Sequence, residues 1–429
     1  MSSLTVSPAT RGLCGTLAMP GDKSIAHRAL LLGGIARGTT VLGAFTGGRD
    51  NLATLGALRA LGVEIAEIGD ELAIRGWGWD GLTAPRATLE CENSGTTMRL
   101  LAGVLAGRPF ASRLDGDASL RRRPMRRVIE PLARMGARIV SERADGCAPL
   151  WIEGRALHGA SHVLAVASAQ VKSALLLAGL QAPGVTRVAE PARSRDHTER
   201  MLRDFGVPLV QGDRWVEVSG PQELTATRVV LPGDFSSAAF FIVTALLVPG
   251  SELRLVNVGV NPTRTGLLDV LAAMGGRVVV EPDASAGAEP LATLVVQSAA
   301  LHGTRVAGEL ALRAIDEFPI LCVAAAGAEG TTELRDAAEL RVKESDRIAV
   351  MAEVLRALGT RVEELPDGLV IEGPSRFQSA RIDPHGDHRI AMAAAVAATA
   401  GSGTVTIDDA GCAEVSFPGF YEALRRACG

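Results

Sequence analysis

Six consecutive segments of the chain follow one pattern. Each has an apolar strand, a short polar motif, a very apolar helix, a second strand, a second polar motif and an amphipathic helix ending in Leu/Met/Phe-Gly (Cys-Gly in the sixth), and the first five add a strand pair. The closing glycines are Gly62, Gly136, Gly206, Gly275, Gly359 and Gly429, at spacings of 74, 70, 69, 84 and 70 residues. Such periodicity means one supersecondary unit repeated, none of which buries its apolar face alone. The first polar motifs recur in step: GDKS at 21–24, ENSGTT at 92–97, SAQ at 168–170, GDFSS at 233–237, IDEFP at 315–319 and GDHR at 386–389. Each precedes an apolar helix, and helix N-termini attract anions through free N–H groups and the macrodipole. Packed about an axis, these ends would gather round one pocket.

The unit reads as βαβαββ, an α/β fold. Its first helix, as in AAFFIVTALLV at 238–248, is apolar all round and therefore buried on every side. The second, as in MAEVLRALG at 351–359, has a polar face. The following strands alternate about a polar tip, as in VEIAEIGDELAIRG at 63–76. The expected architecture is two similar domains of three repeats each, with helices inside and sheets outside, an inside-out α/β barrel. The sixth repeat stops before its strand pair, while an extended pair around Leu4–Val6 and Thr16–Met19 precedes the first. The N-terminal segment is thus expected to supply the strand the sixth repeat lacks. That gives a discontinuous domain of 1–21 plus 236–429 and a continuous one of 22–235, with hinges near Pro20–Gly21 and Pro232–Gly233. The active site is expected in the cleft between them.

The second polar motifs are more basic: LRRRPMRR at 120–127, SRDHTER at 194–200 and RVKESDR at 341–347. The expected pocket holds Lys23, Arg28, Arg99, Arg123, Arg195, Lys343, Arg347 and Arg389. Guanidinium forks suit carboxylates and phosphates, so this many cations imply ligands with several anionic groups. Taken singly, any of these arginines would be read as a solvated surface charge; their recurrence at one repeat position argues otherwise. Among them stand Asp50, Asp316, Glu344 and Asp387. A carboxylate in an electropositive site can take a hydroxyl proton. Asp316 also suits a helix N-cap, a role compatible with catalysis.

Other classes of function fit poorly. Net charge is −4, and aromatic residues make up 3% of the chain with a single tyrosine, so neither a basic surface nor a base-stacking one for nucleic acid is expected. GxGxxG after a strand, GxxxxGK[ST] and HExxH are absent, so no dinucleotide, P-loop nucleotide or motif-bound metal is indicated. His158, His162 and His302 read as structural. The six cysteines form no CxxC pair and read mostly as small core residues. With no apparent signal peptide and no apolar run near the ~18–20 residues of a membrane span, a cytoplasmic enzyme is expected.

The motifs PGDKSIAHRALLLG at 20–33, NSGTTMRLLAG at 93–103, DASLRRRPMRRVIEPL at 117–132, SAQVKSALLLAGL at 168–180, IDEFPILCVAAAGAEG at 315–330, ELRVKESDRIAVMAEVL at 339–355 and GDHRIAMA at 386–393 resemble the 5-enolpyruvylshikimate-3-phosphate synthase family, in family order across essentially the whole chain. The resemblance implies a shikimate-pathway transferase that moves the enolpyruvyl group of phosphoenolpyruvate to the 5-hydroxyl of shikimate 3-phosphate and releases phosphate. It implies no metal or organic cofactor, a monomer, and glyphosate as inhibitor. By motif, Lys23, Ser24 and Arg28 fall at the junction of both substrates. Ser168, Ala169, Gln170 and Arg195 resemble the cradle for shikimate 3-phosphate, joined by Asp316 and Lys343. Lys23, Asn93, Gly95, Arg123, Gln170, Arg347 and Arg389 resemble the phosphoenolpyruvate site. Asp316 resembles the base for the 5-hydroxyl. Glu344 and Lys23 resemble the groups that manage the proton on the methylene carbon.

Two positions depart from many relatives: Val415 stands where a lysine precedes the C-terminal Phe-Pro, and Leu100 follows Arg99 where proline is common. Both bear on glyphosate response. The nearest enzyme alternative is the related transferase acting on a UDP-sugar, which carries a reactive loop cysteine and an asparagine after its N-terminal lysine; here Ser24 follows Lys23, and Cys91 precedes the Asn93 motif. A repeat-built clamp on nucleic acid would need cations along exposed helix faces, not confined to helix starts.

Overall fold

The computed structural model describes residues 3–283 and 288–428. The chain divides into two compact units, Gly21–Leu231 and Met1–Pro20 with Pro232–Gly429. The chain therefore passes from one unit to the other at Pro20–Gly21 and again at Leu231–Pro232.

In the Gly21–Leu231 unit three sheets share one strand order. Leu89–Glu90 runs parallel to Ala111–Asp115, which pairs antiparallel with Leu150–Glu153, and Arg138–Ser141 takes the edge. Ser161–Val163, Gly184–Ala189, Trp215–Gly220 and Leu209–Gln211 repeat that order. The first repeat has no leading strand of its own. Leu224–Thr225 and Arg228–Val230, from the far end of the unit, lie parallel to Ala36–Gly43 instead, and Glu71–Trp77 and Glu64–Ile68 complete the sheet.

The other unit closes on itself through the N-terminus. Cys14–Ala18 lies parallel to Glu252–Gly259, beside Leu291–Gln297 and Arg277–Pro282. Arg305–Val306, Gly330–Leu334, Gly368–Gly373 and Arg361–Leu365 form the second sheet. In the third, Ala380–Ile382 and Val405–Ile407 are completed by Leu4–Val6, antiparallel to Val405–Ile407. The strand missing from the sixth repeat is thus supplied by the N-terminus. The two N-terminal extended segments do not pair with each other; they enter different sheets, because each fills a vacancy in a different repeat.

Each unit has its own core, built on three helices. Lys23–Ile35, Gly95–Leu105 and Ala169–Gly179 belong to one; Phe235–Leu247, Phe318–Gly327 and His388–Ala400 to the other. Twelve of the thirteen residues of Phe235–Leu247 are buried, as expected for a helix with no polar face. Small residues let these helices approach closely: a methyl on Gly103 would lie 2.2 Å from the carbonyl oxygen of Ala174. The sheets cover the helices with one face, as in Leu291–Gln297, where Ala292, Leu294 and Val296 point inward. Among the described residues no helix is long and apolar enough to cross a membrane.

The closing glycines end the second helix of each repeat in the same way. Gly62, Gly136, Gly206, Gly275 and Gly359 have φ between 81° and 97°, a region glycine enters without the Cβ penalty. At Gly62 the amide bonds the Arg59 carbonyl and the next amide, of Val63, bonds that of Leu58, at 3.0 Å each. Gly206 and Gly359 repeat both bonds. This is the Schellman arrangement, which satisfies carbonyls the helix end leaves open. Gly429 lies outside the described residues.

Candidate active site

The polar motifs cap the buried helices. Asp22, Ser94, Ser168, Asp234 and Asp387 each accept a backbone N–H from the first turn of their helix. The fifth repeat differs: Asp316, which suits an N-cap in sequence, does not occupy the cap position. It sits in a one-turn 3-10 helix, Ile315–Glu317, with Glu317 at the cap position and Pro319 in the first turn. Proline needs no partner for an N–H there, which leaves the Asp316 carboxylate for other contacts.

In the Gly21–Leu231 unit, Lys23 pairs with Asp50 at 3.0 Å, and Asn51 holds the Lys23 carbonyl. Arg28 is buried and donates to Thr198 Oγ1 (2.6 Å), the Ser24 carbonyl (2.9 Å), Ser173 Oγ (2.9 Å) and Gln170 Oε1 (3.3 Å). Gln170 in turn donates to Thr96 Oγ1 at 3.1 Å. The GDKS, ENSGTT, SAQ and SRDHTE motifs are therefore linked through two side chains. Asn93 accepts from Arg123 and donates to Asp117 at 2.7 Å. A methyl on Gly95 would fall 2.8 Å from Arg99 Nη1 and 3.3 Å from Arg123 Nη1, so both guanidiniums overhang this helix start. Ala169 accepts the Ser173 hydroxyl through its carbonyl. Arg195 stands half-buried in the loop before the helix His197–Asp204. Beneath these groups, fully buried His27 bonds Thr54, which bonds Thr97, at 2.7 Å each. Burial first, then Lys23 and Arg28, hold the His27 pKa well below the usual histidine value.

The other unit carries a second charged cluster. The Asp316 carboxylate faces Lys343 at 3.7 Å, Arg347 at 3.8 Å and Arg389 at 4.0 Å. Arg389 also donates to the Asp316 carbonyl at 2.8 Å. Arg347, 1% exposed, is gripped by Glu344 at 2.7 Å and Asp387 at 2.8 Å. Burial opposes that guanidinium's charge, but Asp387, Glu344 and Asp316 raise its pKa above the ordinary value. Burial likewise works against the Asp387 anion, and Arg347 outweighs it, so the carboxyl is held below its usual range. The Lys343 side chain keeps 30% of its exposure, yet packing around the ammonium lowers its pKa, against the pull of Asp316 and Glu344. The expected single set of eight cations thus falls into two groups, five in one unit and three in the other.

Sequence reasoning named Asp387 only as a pocket acid, and it missed Arg264. Asp387 is fully buried as cap and clamp for Arg347. Buried Arg264 donates to Ser236 and Asp234, while Ser236 donates to Glu317. Arg264 lies in NPTRTG at 261–266, the second polar motif of the fourth repeat, so the repeat position itself was the available signal. Among the cysteines, Cys14 is exposed rather than part of the core, since its strand turns that side chain outward. His158 and His302 are exposed, whereas His162 is 2% exposed. Among the described residues no group of three His, Cys, Asp or Glu is placed to hold a metal ion.

The family profile described as EPSP synthase (3-phosphoshikimate 1-carboxyvinyltransferase) matches residues 8–424. The chain belongs to the EPSP synthase family. It is 54% identical to the 3-phosphoshikimate 1-carboxyvinyltransferase of Geobacter sulfurreducens over 426 residues, 99% of each chain. The enzyme of the same name from Desulforudis audaxviator is 54% identical over 424 residues, again 99% of each. The solved EPSP synthase of Acinetobacter baumannii superposes with a TM-score of 0.88 at 44% identity, covering 99% of this chain and 98% of that one. Members of the EPSP synthase family are transferases of aromatic biosynthesis that move the enolpyruvyl group of phosphoenolpyruvate to shikimate 3-phosphate, and this chain is such a transferase.

Within the EPSP synthase frame the departures take definite positions. Leu100 is fully buried in the helix Gly95–Leu105. Val415 ends a 3-10 helix, Ala410–Val415, next to the Phe417–Phe420 ring contact. Cys91 is fully buried, and burial, followed by Glu90, pushes its thiol well above the usual range. A thiol so held is a poor nucleophile, which removes the main argument for the UDP-sugar alternative.

Proposed function

We propose that the two charged clusters act on the same pair of substrates, with roles divided by motif. Lys23, Ser24, Arg28, Ser168, Ala169, Gln170 and Arg195 bind shikimate 3-phosphate, together with Asp316 and Lys343. Lys23, Asn93, Gly95, Arg123, Gln170, Arg347 and Arg389 bind phosphoenolpyruvate. Two phosphates and two carboxylates give these cations matching anions. Asp316 takes the 5-hydroxyl proton as the oxygen bonds the enol carbon. Glu344 and Lys23 deliver and remove the proton on the methylene carbon. Phosphate leaves as the double bond reforms, so the net change is one C–O bond made, one broken and one proton carried to phosphate.

The observation that carries this reading is the Asp316 carboxylate within 4.0 Å of Lys343, Arg347 and Arg389. A base in that setting meets its substrate beside cations that hold the anionic groups. The enzyme works as a cytoplasmic monomer, needs no cofactor, and is inhibited by glyphosate at the phosphoenolpyruvate groups. The test is phosphate release from shikimate 3-phosphate and phosphoenolpyruvate, with a UDP-sugar acceptor as control and glyphosate added in steps. Turnover with the UDP-sugar alone would refute it.

A further inference from the structure

The helix Ala169–Gly179 carries a buried lysine, Lys172, one turn beyond the SAQ motif. Its ammonium lies 2.8 Å from Glu190 and 2.8 Å from Glu199, and donates to the Ser194 carbonyl at 3.4 Å. All three charged side chains are 3–5% exposed. Burial works against the ammonium, but the two carboxylates outweigh it and raise its pKa above the ordinary lysine value. Glu190 follows the strand Gly184–Ala189, and Glu199 lies in the first turn of His197–Asp204. The two anions therefore bracket residues 191–198, with Arg195 between them. Inside the bracket Ser194 donates to Glu190, and Asp196 is tied to Arg193 at 3.1 Å and Arg200 at 2.8 Å. Thr198 bonds Ser173 and Arg28.

A buried ion cluster is an expensive way to gain stability, since apolar replacements of similar volume are often as stable. What this cluster adds is geometry: one cation fixes both ends of the loop relative to the SAQ helix. We propose that Lys172, with Glu190 and Glu199, is a positioning device that holds the Arg195 loop in register with Ser168–Gln170, and so sets affinity for shikimate 3-phosphate. It rests on the reading that Arg195 contacts that substrate.

The test replaces the whole cluster, because Lys172→Met alone strands two buried carboxylates. In the triple variant Lys172→Met, Glu190→Gln, Glu199→Gln, we expect KM for shikimate 3-phosphate to rise about tenfold with kcat within about threefold, the pattern of lost uniform binding. KM for phosphoenolpyruvate should stay near wild type. Should the triple variant not fold, Glu199→Leu keeps Lys172 and Glu190 paired one to one and should give the same split. A folded variant with both constants unchanged, or with both substrates' KM raised alike, overturns the proposal. Arg195→Ala is measured in parallel. If it leaves KM for shikimate 3-phosphate unchanged, the Arg195 assignment fails and the proposal falls with it. If it raises that KM while the cluster variants do not, only the positioning role is refuted.

Discussion

Gly95→Ala tests the proposal that the helix start Gly95–Leu105 receives an anion. Gly95 does not have a positive φ, so alanine costs no backbone strain. The added methyl instead meets charged side chains: Arg99 Nη1 at 2.8 Å and Arg123 Nη1 at 3.3 Å. Ordinary contact begins near 3.4 Å, so the Arg99 nitrogen must retreat by about 0.6 Å and that of Arg123 by about 0.1 Å. Arg99 is half-buried and can move; Arg123 is 7% exposed and bonded to Asn93 and Ser119. The effect should therefore fall on Arg99 rather than on the fold.

Arg99 overhangs Gly95 beside Arg123, two groups of the proposed phosphoenolpyruvate site, so shifting its guanidinium disturbs at most one charge-assisted hydrogen bond there, worth about 1.5–3 kcal/mol when fully lost. A partial loss near 1 kcal/mol gives KM for phosphoenolpyruvate about fivefold higher. On the proposed binding of glyphosate at the phosphoenolpyruvate groups, the longer inhibitor needs the space the methyl takes as well. Its inhibition constant should rise by a further ~1–3 kcal/mol, or roughly five- to 150-fold. The assay is KM and inhibition constant for both forms at saturating shikimate 3-phosphate, with melting temperature as control. Equal fold changes in the two constants would refute the size argument, and a fall in melting temperature would refute the claim that the fold tolerates alanine.

Lys23→Met should abolish turnover while the fold survives with a lower melting temperature, since Asp50, 8% exposed, loses its cation; a variant with near-normal activity would sink the assignment. Asp316→Asn should lower kcat by roughly 100- to 10,000-fold while KM changes little, because the amide keeps the shape but cannot accept the proton; a large KM rise at unchanged kcat would mean binding instead. His27→Gln should flatten the acid limb of stability. With the folded pKa of His27 below its unfolded value of about 6.5, the unfolded state binds the proton first, so wild type loses about 1.4 kcal/mol per pH unit from this group as pH falls below ~6.5; denaturant melts at pH 7 and pH 5 that change equally in wild type and variant would reject this.

What the sequence made legible was whatever repeats. Five glycines ending five helices with one bond pattern, and five capping residues at five buried helices, follow from local chemistry that each repeat expresses by itself. The strand exchange was legible only in part. The sixth repeat's missing strand could be counted, so Leu4–Val6 found its place. The first repeat's missing strand could not, because residues 224–230 are parallel partners to Ala36–Gly43 across most of the unit. Parallel pairing leaves no hairpin signal to read.

The site shows the same division. Cations were visible because they sit at motif positions, but their partners were not. Asp387 looked like one more acid of the pocket, whereas it is buried and spent on Arg347. Lys172 drew no reading within SAQVKSALLLAGL, yet it anchors two carboxylates from other segments. Sequence spacing cannot distinguish an ion that meets a ligand from one that meets another ion, since both stand at helix starts or one turn beyond. The distinction lies in burial. Lys172, at 3% exposure between Glu190 and Glu199, is compensated inside the protein, whereas Lys23 at 17% and Lys343 at 30% keep a face open. The open pair is thus where substitution should cost turnover with the fold intact, and the enclosed cluster is where removing its one cation should cost the fold.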